Sequence, residues 1–596
     1  MKKNKFLKVF SSAVALSVVL AGCSSGSNNS GTKAPKPKVE FKSSVDNGGD
    51  LKEGQTLKYG ILSSTPLTGL WNVVFAEQAT DQYVNQNVMG GTFPVDAEGR
   101  AKLDKEDAPV KMHIDREKNE VTLTIHKDLK WNNGENVTTK DIVATYELMG
   151  NPKFTTNVRY NDSYEFIEGM KEYHEGKASS ISGIQVKDDR TVVVKYNQLR
   201  PSIQWGEGMV TDFLNAKQVA EASKDFTKFV EAELNKKPLS YGPYYITKEV
   251  NGESVLAEAN PHYYQKDKVK TKKVEFKVVA PAQASSVIKA GEVDIIESVT
   301  SGVYDSSKEL KNGTFLGESS RYMSYVGFKL GKFDKEKGEN VVDPNSKFAD
   351  KKLRQAFLYA IDRDQINEKV FKGIRFTPTG SGMYPPAIGQ LVNENAIAVK
   401  KDVEKAKKLL DEAGYKDTNG DGIREGKDGK ELKFNFAIRN TGQDFDQALA
   451  DTFIKSWKEV GLNVVLMAPK DWSQRVQSDD PSIEIFQGAW QYGTNPNRQE
   501  LLGKKAPLNL YRYTTGVFEE SFKTQSTADM FDAKKLKEAY NKFDSEVAEE
   551  LPFFPLSWDT SITWVNKRVK NYDLNKIKDG EFNLYSIELT SEQGAK

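Results

Sequence analysis

The four histidines, His113, His126, His174 and His262, are the first residues to ask about proton transfer or metal binding, and no two of them fall at metal-ligand spacing. No H-E-x-x-H stretch, no G-x-S-x-G elbow and no Walker A loop occurs, so metalloprotease, serine hydrolase and P-loop NTPase chemistry all lack their residues. An isolated histidine beside a strand, such as His126, reads as structural. Catalytic residues: none; the chain is read as not an enzyme. One stretch does have ion-binding spacing. Asp417-Thr-Asn419-Gly-Asp421-Gly422 places oxygen donors at positions 1, 3 and 5 of a calcium loop and glycine at 6, with Asp428 at position 12. The pattern asks for glutamate at 12 and an apolar residue at 8, where Arg424 stands, and the following Glu431–Ile438 reads as a strand. Two readings stay open: a structural calcium held by Asp417, Asn419, Asp421 and Asp428, or an Asx/Gly turn joining a helix to a strand. No cofactor is required by anything else in the sequence.

The single cysteine, Cys23, excludes a disulfide framework and a thiolate cluster. Lys2, Lys3, Lys5 and Lys8 form a basic n-region, and Val14–Leu20 is an apolar run too short to stay in a bilayer. It ends in Leu20-Ala21-Gly22-Cys23, which resembles the bacterial lipobox, where the cysteine thiol is lipidated and becomes the mature N-terminus. Lipid attachment at Cys23 is therefore expected. Each buried lipid CH₂ contributes ~0.8 kcal/mol, so two or more acyl chains hold a protein on a membrane.

After Cys23 the chain runs SSGSNNSGTKAPKPK and stays polar to about Asp50, a composition that buries too little apolar surface to fold. Residues 23–50 are expected to be a flexible tether. Net charge is +1 with 28% charged residues, so no nucleic-acid footprint is visible. Twenty-four Tyr, 30 Phe and 8 Trp exceed what a plain surface needs, and some of them suit an amphipathic ligand cavity.

The elements alternate between strand and helix throughout, the signature of an α/β protein. Val121, Leu123 and Ile125 alternate with threonines, and 192–194, 274–279 and 434–438 read as further strands. Leu353, Ala356, Phe357, Ala360 and Ile361 make one helical face; Phe445, Leu449, Phe453 and Trp457 make another; Val403, Ala406 and Leu410 mark a third. The hydrophilic stretch 332–346 reads as a surface loop.

Several segments in order resemble the family 5 extracellular solute-binding proteins of ABC importers, in the oligopeptide-binding lipoprotein branch. They are Val121–Tyr146 with its Lys130-Trp131-Asn132-Asn133-Gly134 turn and Thr138/Thr139–Asp141 helix start; Gly242-Pro243-Tyr244 followed by Asn260-Pro261-His262-Tyr263-Tyr264; Ala290–Ile295; Phe348–Arg363; Ala406–Arg424; and Leu551-Pro552 to Pro555-Leu556. The resemblance implies a two-lobed periplasmic-binding-protein-like clamp (type II, cluster C) with an extra subdomain. It divides the chain into a signal peptide (1–22), the tether (23–50), a discontinuous lobe I (51–90, 240–305 and 565–596), the extra subdomain of lobe I (91–239) and lobe II (306–564).

It further implies an extended peptide between the lobes, bonded through its backbone as an added strand. The matching contact segment is Gly488–Asn497 (GAWQYGTNPN), so Trp490, Gln491, Tyr492, Gly493, Thr494 and Asn495 are the expected peptide-binding residues. Phe75, Ala76 and Glu77, in a stretch reaching Thr80, should face them from the other lobe, and Tyr322, Ser324 and Tyr325 either line the cleft or belong to a strand. Trp490 has the alternative of core packing. Many relatives carry an aspartate in this segment that pairs with the peptide's α-ammonium group; Gln491–Thr494 carry no carboxylate. A less rigid register and longer peptides follow from that departure.

The expected partners are oligopeptides, the permease subunits of an ABC importer and, through the lipid, the outer face of the cytoplasmic membrane of a Gram-positive bacterium; the chain is expected to be a monomer. Pheromone signalling, or another cargo such as dipeptide, nickel or oligosaccharide, are the alternatives, nickel being disfavoured by the scattered histidines. Replacing Cys23 by serine is expected to abolish incorporation of labelled fatty acid and to shift the chain from the membrane fraction to the medium; unchanged membrane retention would remove the anchor.

Overall fold

The computed structural model describes residues 37–596, apart from 394–395, 397, 440–444, 581–582 and the side chain of Gln390. The signal peptide, Cys23 and the first part of the expected tether lie outside the described residues.

The sequence alternation appears as strand faces. In Glu120–Ile125, Val121, Leu123 and Ile125 are buried and the residues between them half-buried. This strand sits in a four-stranded antiparallel sheet with Val110–Asp115, Thr191–Lys195 and Ile184–Val186. Helix Thr139–Met149 starts at Thr138, whose backbone N–H donates to Asp141 Oδ2 at 2.8 Å, and it packs Ile142 and Tyr146 beside Trp131 in the core of this subdomain.

A ten-stranded mixed sheet carries the rest. At one end Asn463–Met467, Lys433–Ala437 and Ile485–Gln491 run parallel. At the other end Ile295–Ile296, Thr56–Leu62 and Lys273–Val279 run parallel, followed by antiparallel Ser254–Ala259 and Tyr244–Val250. Two long antiparallel strands, Gly313–Phe328 and Phe553–Asn566, join the halves. Their pairing runs from Gly313↔Asn566 to Ser319↔Thr560, breaks, and resumes at Met323↔Trp558, so Ser320, Arg321 and Tyr322 lie opposite Asp559 alone. The molecule is a two-lobed α/β clamp with an extra subdomain.

The break lies inside the span 306–564 expected for lobe II. Residues 313–319 pair with 560–566 on one side of it, and 323–327 with 553–558 on the other. The tether is shorter than expected. Lys38 and Val39 both donate to Gly373 O at 3.0 Å, Lys42 bridges Leu316, and Ser44–Asp46 pairs with Asn571–Asp573. A polar composition forbade a core of its own but not docking onto an existing sheet. The stretch 332–346 is likewise no mere loop: Gly331–Asp334 and Glu339–Val342 form a hairpin, pinned by Asn340, which is buried and donates to the carbonyls of Gly503, Lys504 and Ala506. The helix expected to reach Ile361 spans Lys351–Tyr359, because Asp362 caps a new helix, Arg363–Lys369, by accepting from Gln365 N at 2.8 Å.

Lobe II packs Phe348, Phe357, Phe434, Phe436, Phe453 and Trp457 together. In lobe I the chain end is bound by a buried pair. Arg568 and Asp294 are 2% and 0% exposed and meet bidentately, at 2.5 Å from Nε to Oδ1 and 2.6 Å from Nη2 to Oδ2. Arg568 also donates to the carbonyls of Thr56, Ser591 and Glu592, while Asp294 Oδ2 accepts from Lys58 N. Removing one partner strands the other charge in the core. Arg568→Met is therefore expected to cost about 3–5 kcal/mol, seen as a lowered denaturation midpoint, and Asp294→Leu in the same chain should recover part of it.

Candidate functional site

Strand Ile485–Gln491 pairs with the crossing strand as far as Tyr322↔Gln491, and Tyr492 N then donates to Arg321 O at 3.0 Å. Beyond that bond the backbone of Gly493 and Thr494 makes no hydrogen bond among the described residues. These residues enter a cleft of about 790 Å³ between lobe II and the extra subdomain. Its subdomain wall includes Ser163, Arg200, Trp205 and Glu207; its lobe II wall includes Gly493, Thr494, Asn495, Glu500, Lys505 and Tyr540.

Two contacts close the cleft beside this edge. Asn495 Nδ2 donates to Glu207 Oε2 at 2.6 Å. Thr494 packs on Gly99, whose φ of +81° is open to glycine and where a Cβ would lie 2.6 Å from Thr494 Cγ2. The loop holding Gly99 is tied by Asp96, which accepts from Glu98 N and Arg100 N and pairs with the Arg100 guanidinium at 2.9 Å. Arg200 lies 3.8 Å over the Phe166 ring, which sets its guanidinium against the subdomain; partial burial pulls its pKa below the usual arginine value.

A second cavity of about 330 Å³ lies at the break in the crossing strands and brings Ser320, Tyr322, Arg375, Gln491 and Asp559 together. Arg375 Nε stands 3.2 Å from Asp559 Oδ1, and its Nη1 is 3.3 Å from both Ser324 Oγ and Ser557 Oγ. Burial pushes the Asp559 carboxyl above its ordinary range, against the pull of Arg375.

The expected site residues thus separate into groups. Gly493, Thr494 and Asn495 line the main cleft, while Gln491 and Tyr322 line the cavity at the break. Tyr492 is buried, with Arg498 stacked 4.1 Å over its ring. Trp490 is half-buried and lies nearly parallel to Tyr325, centroids 6.5 Å apart. Tyr325 is fully buried among Phe486, Tyr511 and Phe553, and Ser324 is buried against Arg375, so neither lines the cleft; they lie on opposite faces of a strand covered on both sides. Phe75, Ala76 and Glu77 line neither cavity. Phe75 packs on Phe154 and Phe229, Ala76 O accepts from Gln82 Nε2 and from Arg159, and Glu77 is exposed, so this stretch fastens the subdomain to lobe I. The subdomain residues from Arg200 to Gly208 went unnoticed in the sequence. Their one signal was the pair of glycines flanking Glu207.

The Asp417 loop is already satisfied by its own backbone. Asp417 accepts from Gly420 N at 2.7 Å and Gly422 N at 2.9 Å, Asn419 from Asp421 N, and Asp421 from Ile423 N. Glu425, which is buried, takes Thr418 N and Oγ1 at 2.7 Å each and Asn419 Nδ2 at 3.0 Å. Asp428 belongs to the next turn, 3.3 Å from Lys430 Nζ. Among the described residues no cluster of three or more metal-capable side chains forms. The hydrogen bonds of the loop are those of linked Asx turns.

The family model described as bacterial extracellular solute-binding proteins, family 5 Middle, matches residues 110–505. The oligopeptide-binding protein OppA of Lactococcus lactis subsp. lactis is 30% identical over 96% of this chain and 97% of its own. Among solved structures, lactococcal OppA complexed with an endogenous peptide in the closed conformation aligns with a TM-score of 0.71, at 27% identity over 90% of this chain and all of that one. An unliganded open form of the periplasmic murein tripeptide binding protein MppA, at 18% identity and 91% and 98% coverage, shares the fold with a TM-score of 0.70.

With the loop carboxylates engaged by backbone N–H groups, millimolar calcium is expected to give no heat in a calorimetric titration and no change in melting temperature. A saturable exothermic isotherm, lost in Asp417→Ala, would overturn the turn reading.

Proposed function

This chain belongs to the family 5 bacterial extracellular solute-binding proteins, in their oligopeptide-binding branch, and on that premise we propose that it captures extended peptides in the cleft beside Gly493–Asn495 and hands them to the permease subunits of an ABC importer. The observation that carries the proposal is the unpaired backbone of Gly493 and Thr494 at the cleft wall. A strand that leaves its ladder while still lining a cavity offers N–H and C=O groups to an incoming peptide strand, and such bonds do not depend on the peptide's side chains. Around it, Ser163, Asn495 and Gln499 add adaptable polar contacts that bridging water can extend.

The seating of the peptide amine is loose in this reading. No carboxylate stands in Gln491–Thr494, and one in the cleft wall, Glu207, already accepts from Asn495. Longer peptides, free to extend past the cleft at either end, suit this arrangement better than dipeptides gripped at both termini. The lipid on Cys23 would hold the receptor on the outer face of the membrane, where the released peptide meets the permease. No helix among the described residues is long and apolar enough to cross a membrane.

Binding to the closed clamp stabilises it by linkage, ~2.7 kcal/mol at a hundredfold excess over Kd. A mixed peptide pool is expected to raise the melting temperature, and native mass spectrometry of the purified protein should show bound masses that fragment as peptides. A shift with nickel or an oligosaccharide, and none with any peptide pool, would falsify the proposal.

A further inference from the structure

A side pocket of about 170 Å³ shares Trp205 and Gly206 with the subdomain wall of the main cleft. Phe93, Met112, Ile203 and Met209 give it apolar walls. Asp212 is the one charged side chain among its lining residues. The carboxylate is half-buried and fixed by hydroxyls: Thr92 Oγ1 donates to Oδ1 at 2.9 Å, and Thr211 Oγ1 lies 3.4 Å from Oδ2. The Thr92 hydroxyl is in turn hydrogen-bonded to that of Tyr241, whose oxygen also accepts from Phe213 N at 3.2 Å. No lysine, arginine or histidine among the described residues compensates Asp212, and burial pushes its carboxyl above the ordinary range.

An uncompensated carboxylate at an apolar wall is costly, and neutral hydroxyls offset only part of that cost. What completes the site is a cation on an apolar stem. Lysine and arginine side chains have that build, methylenes along their length and the charge at the tip. An α-ammonium group does not: it sits on the backbone, with no stem to lay along Phe93 and Met209. A purely apolar side chain would fill the walls and leave the carboxylate desolvated.

We propose that this pocket is a subsite for one basic side chain, lysine or arginine, of the bound peptide, with Asp212 as its counter-ion. The inference rests on the peptide-receptor reading and narrows its substrate class. It adds selection by composition to a cleft whose strand contacts select none.

The test uses the mature protein and neutral, N-acetylated nonapeptides in which a single lysine, norleucine or glutamate is walked along the sequence, with affinities from calorimetry. Norleucine keeps the stem and removes the charge. At one or more positions lysine is expected to bind about tenfold tighter than norleucine, or better, and glutamate weaker than both. Asp212→Asn should bring the lysine peptide to the norleucine level while leaving norleucine binding intact, and Asp212→Leu should reverse the preference. Norleucine binding in each variant reports that the cleft has folded. An equal lysine-to-norleucine ratio in wild type and Asp212→Asn would leave Asp212 a structural anchor for Thr92 and Tyr241 and overturn the subsite. A lysine effect appearing only in unacetylated peptides would assign the charge to the α-ammonium group and overturn the side-chain proposal. If none of the peptides binds wild type at any composition, the receptor reading itself fails, a result distinct from peptides that bind without preference.

Discussion

Everything in this molecule depends on one sheet being shared by two lobes. A continuous antiparallel ladder resists bending, since each rung fixes the next, so two lobes built on opposite halves of one sheet can move only where the ladder is interrupted. The interruption here sets Ser320, Arg321 and Tyr322 against Asp559. Arg375 secures its lobe II side, with its guanidinium 3.8 Å over Phe371, bonds to Ser324 and Ser557, and an ion pair to Asp559 at the break itself. Phe376 and Trp558 exchange backbone hydrogen bonds of 2.8 and 2.9 Å next to it. Flexibility is thereby confined to a few residues between two stiff ladders, the arrangement a hinge requires.

The unpaired edge at the cleft grows directly out of that interruption. Gln491 pairs with Tyr322 inside the break, Tyr492 is bonded to Arg321, and the next two residues are the ones with free backbone. Rotation at the break therefore carries Gly493–Asn495 toward or away from the Gly99 loop and Glu207. The contacts across the closed cleft include the Asn495–Glu207 hydrogen bond, Thr494 on Gly99, Arg116 5.6 Å over the Phe531 ring, and Trp205 packed against the lobe II core. A single hydrogen bond is worth about 0.5–1.5 kcal/mol net. A ligand that touches both walls adds differential free energy in favour of the closed state.

Much of the fold was legible in the sequence because its signals are local. Alternation at Val121–Ile125 and the four-residue steps from Phe445 to Trp457 give a strand and the helix Asp446–Glu459. The motif residues also acquire physical reasons. Arg354, 2% exposed, donates to the carbonyls of Phe348, Ala349, Glu550 and Leu551, and Arg363 to those of Gly380, Val399 and Pro555, so both lock the chain around the crossing strand. Gly242 lies where a Cβ would come within 2.3 Å of the carbonyl oxygens of Val88 and Met89. What stayed hidden depends on distant chain segments. The docking of residues 38–46, the hairpin pinned by Asn340 and the register break all arise from partners hundreds of positions away or from the other strand. The Gly493–Asn495 edge was visible through its resemblance to a family segment. Its counterpart at Arg200–Gly208 was not, because a wall built around one arginine, one tryptophan, one glutamate and two glycines has no period and no motif.

The charges in the cleft explain how one receptor can be permissive and selective at once. Arg200 and Lys505 stand in the same cavity as Glu207 and Glu500, opposite signs on both walls, so no single fixed charge dictates where a terminus must sit. Charges of this exposure are screened by water and salt and contribute little to discrimination. A carboxylate held at an apolar wall is different in kind, because there is less water to replace a missing partner. Asp212 meets that condition, and it lies off the path of the strand-like contacts at Gly493 and Thr494. Backbone bonds then set affinity for peptides in general, while a charge set to one side biases which of them stay. Register is free to slide until a suitable side chain falls opposite the pocket. On this view the missing carboxylate at Gln491–Thr494 is not a lost contact: a receptor that reads a side chain must leave the peptide's end unfixed.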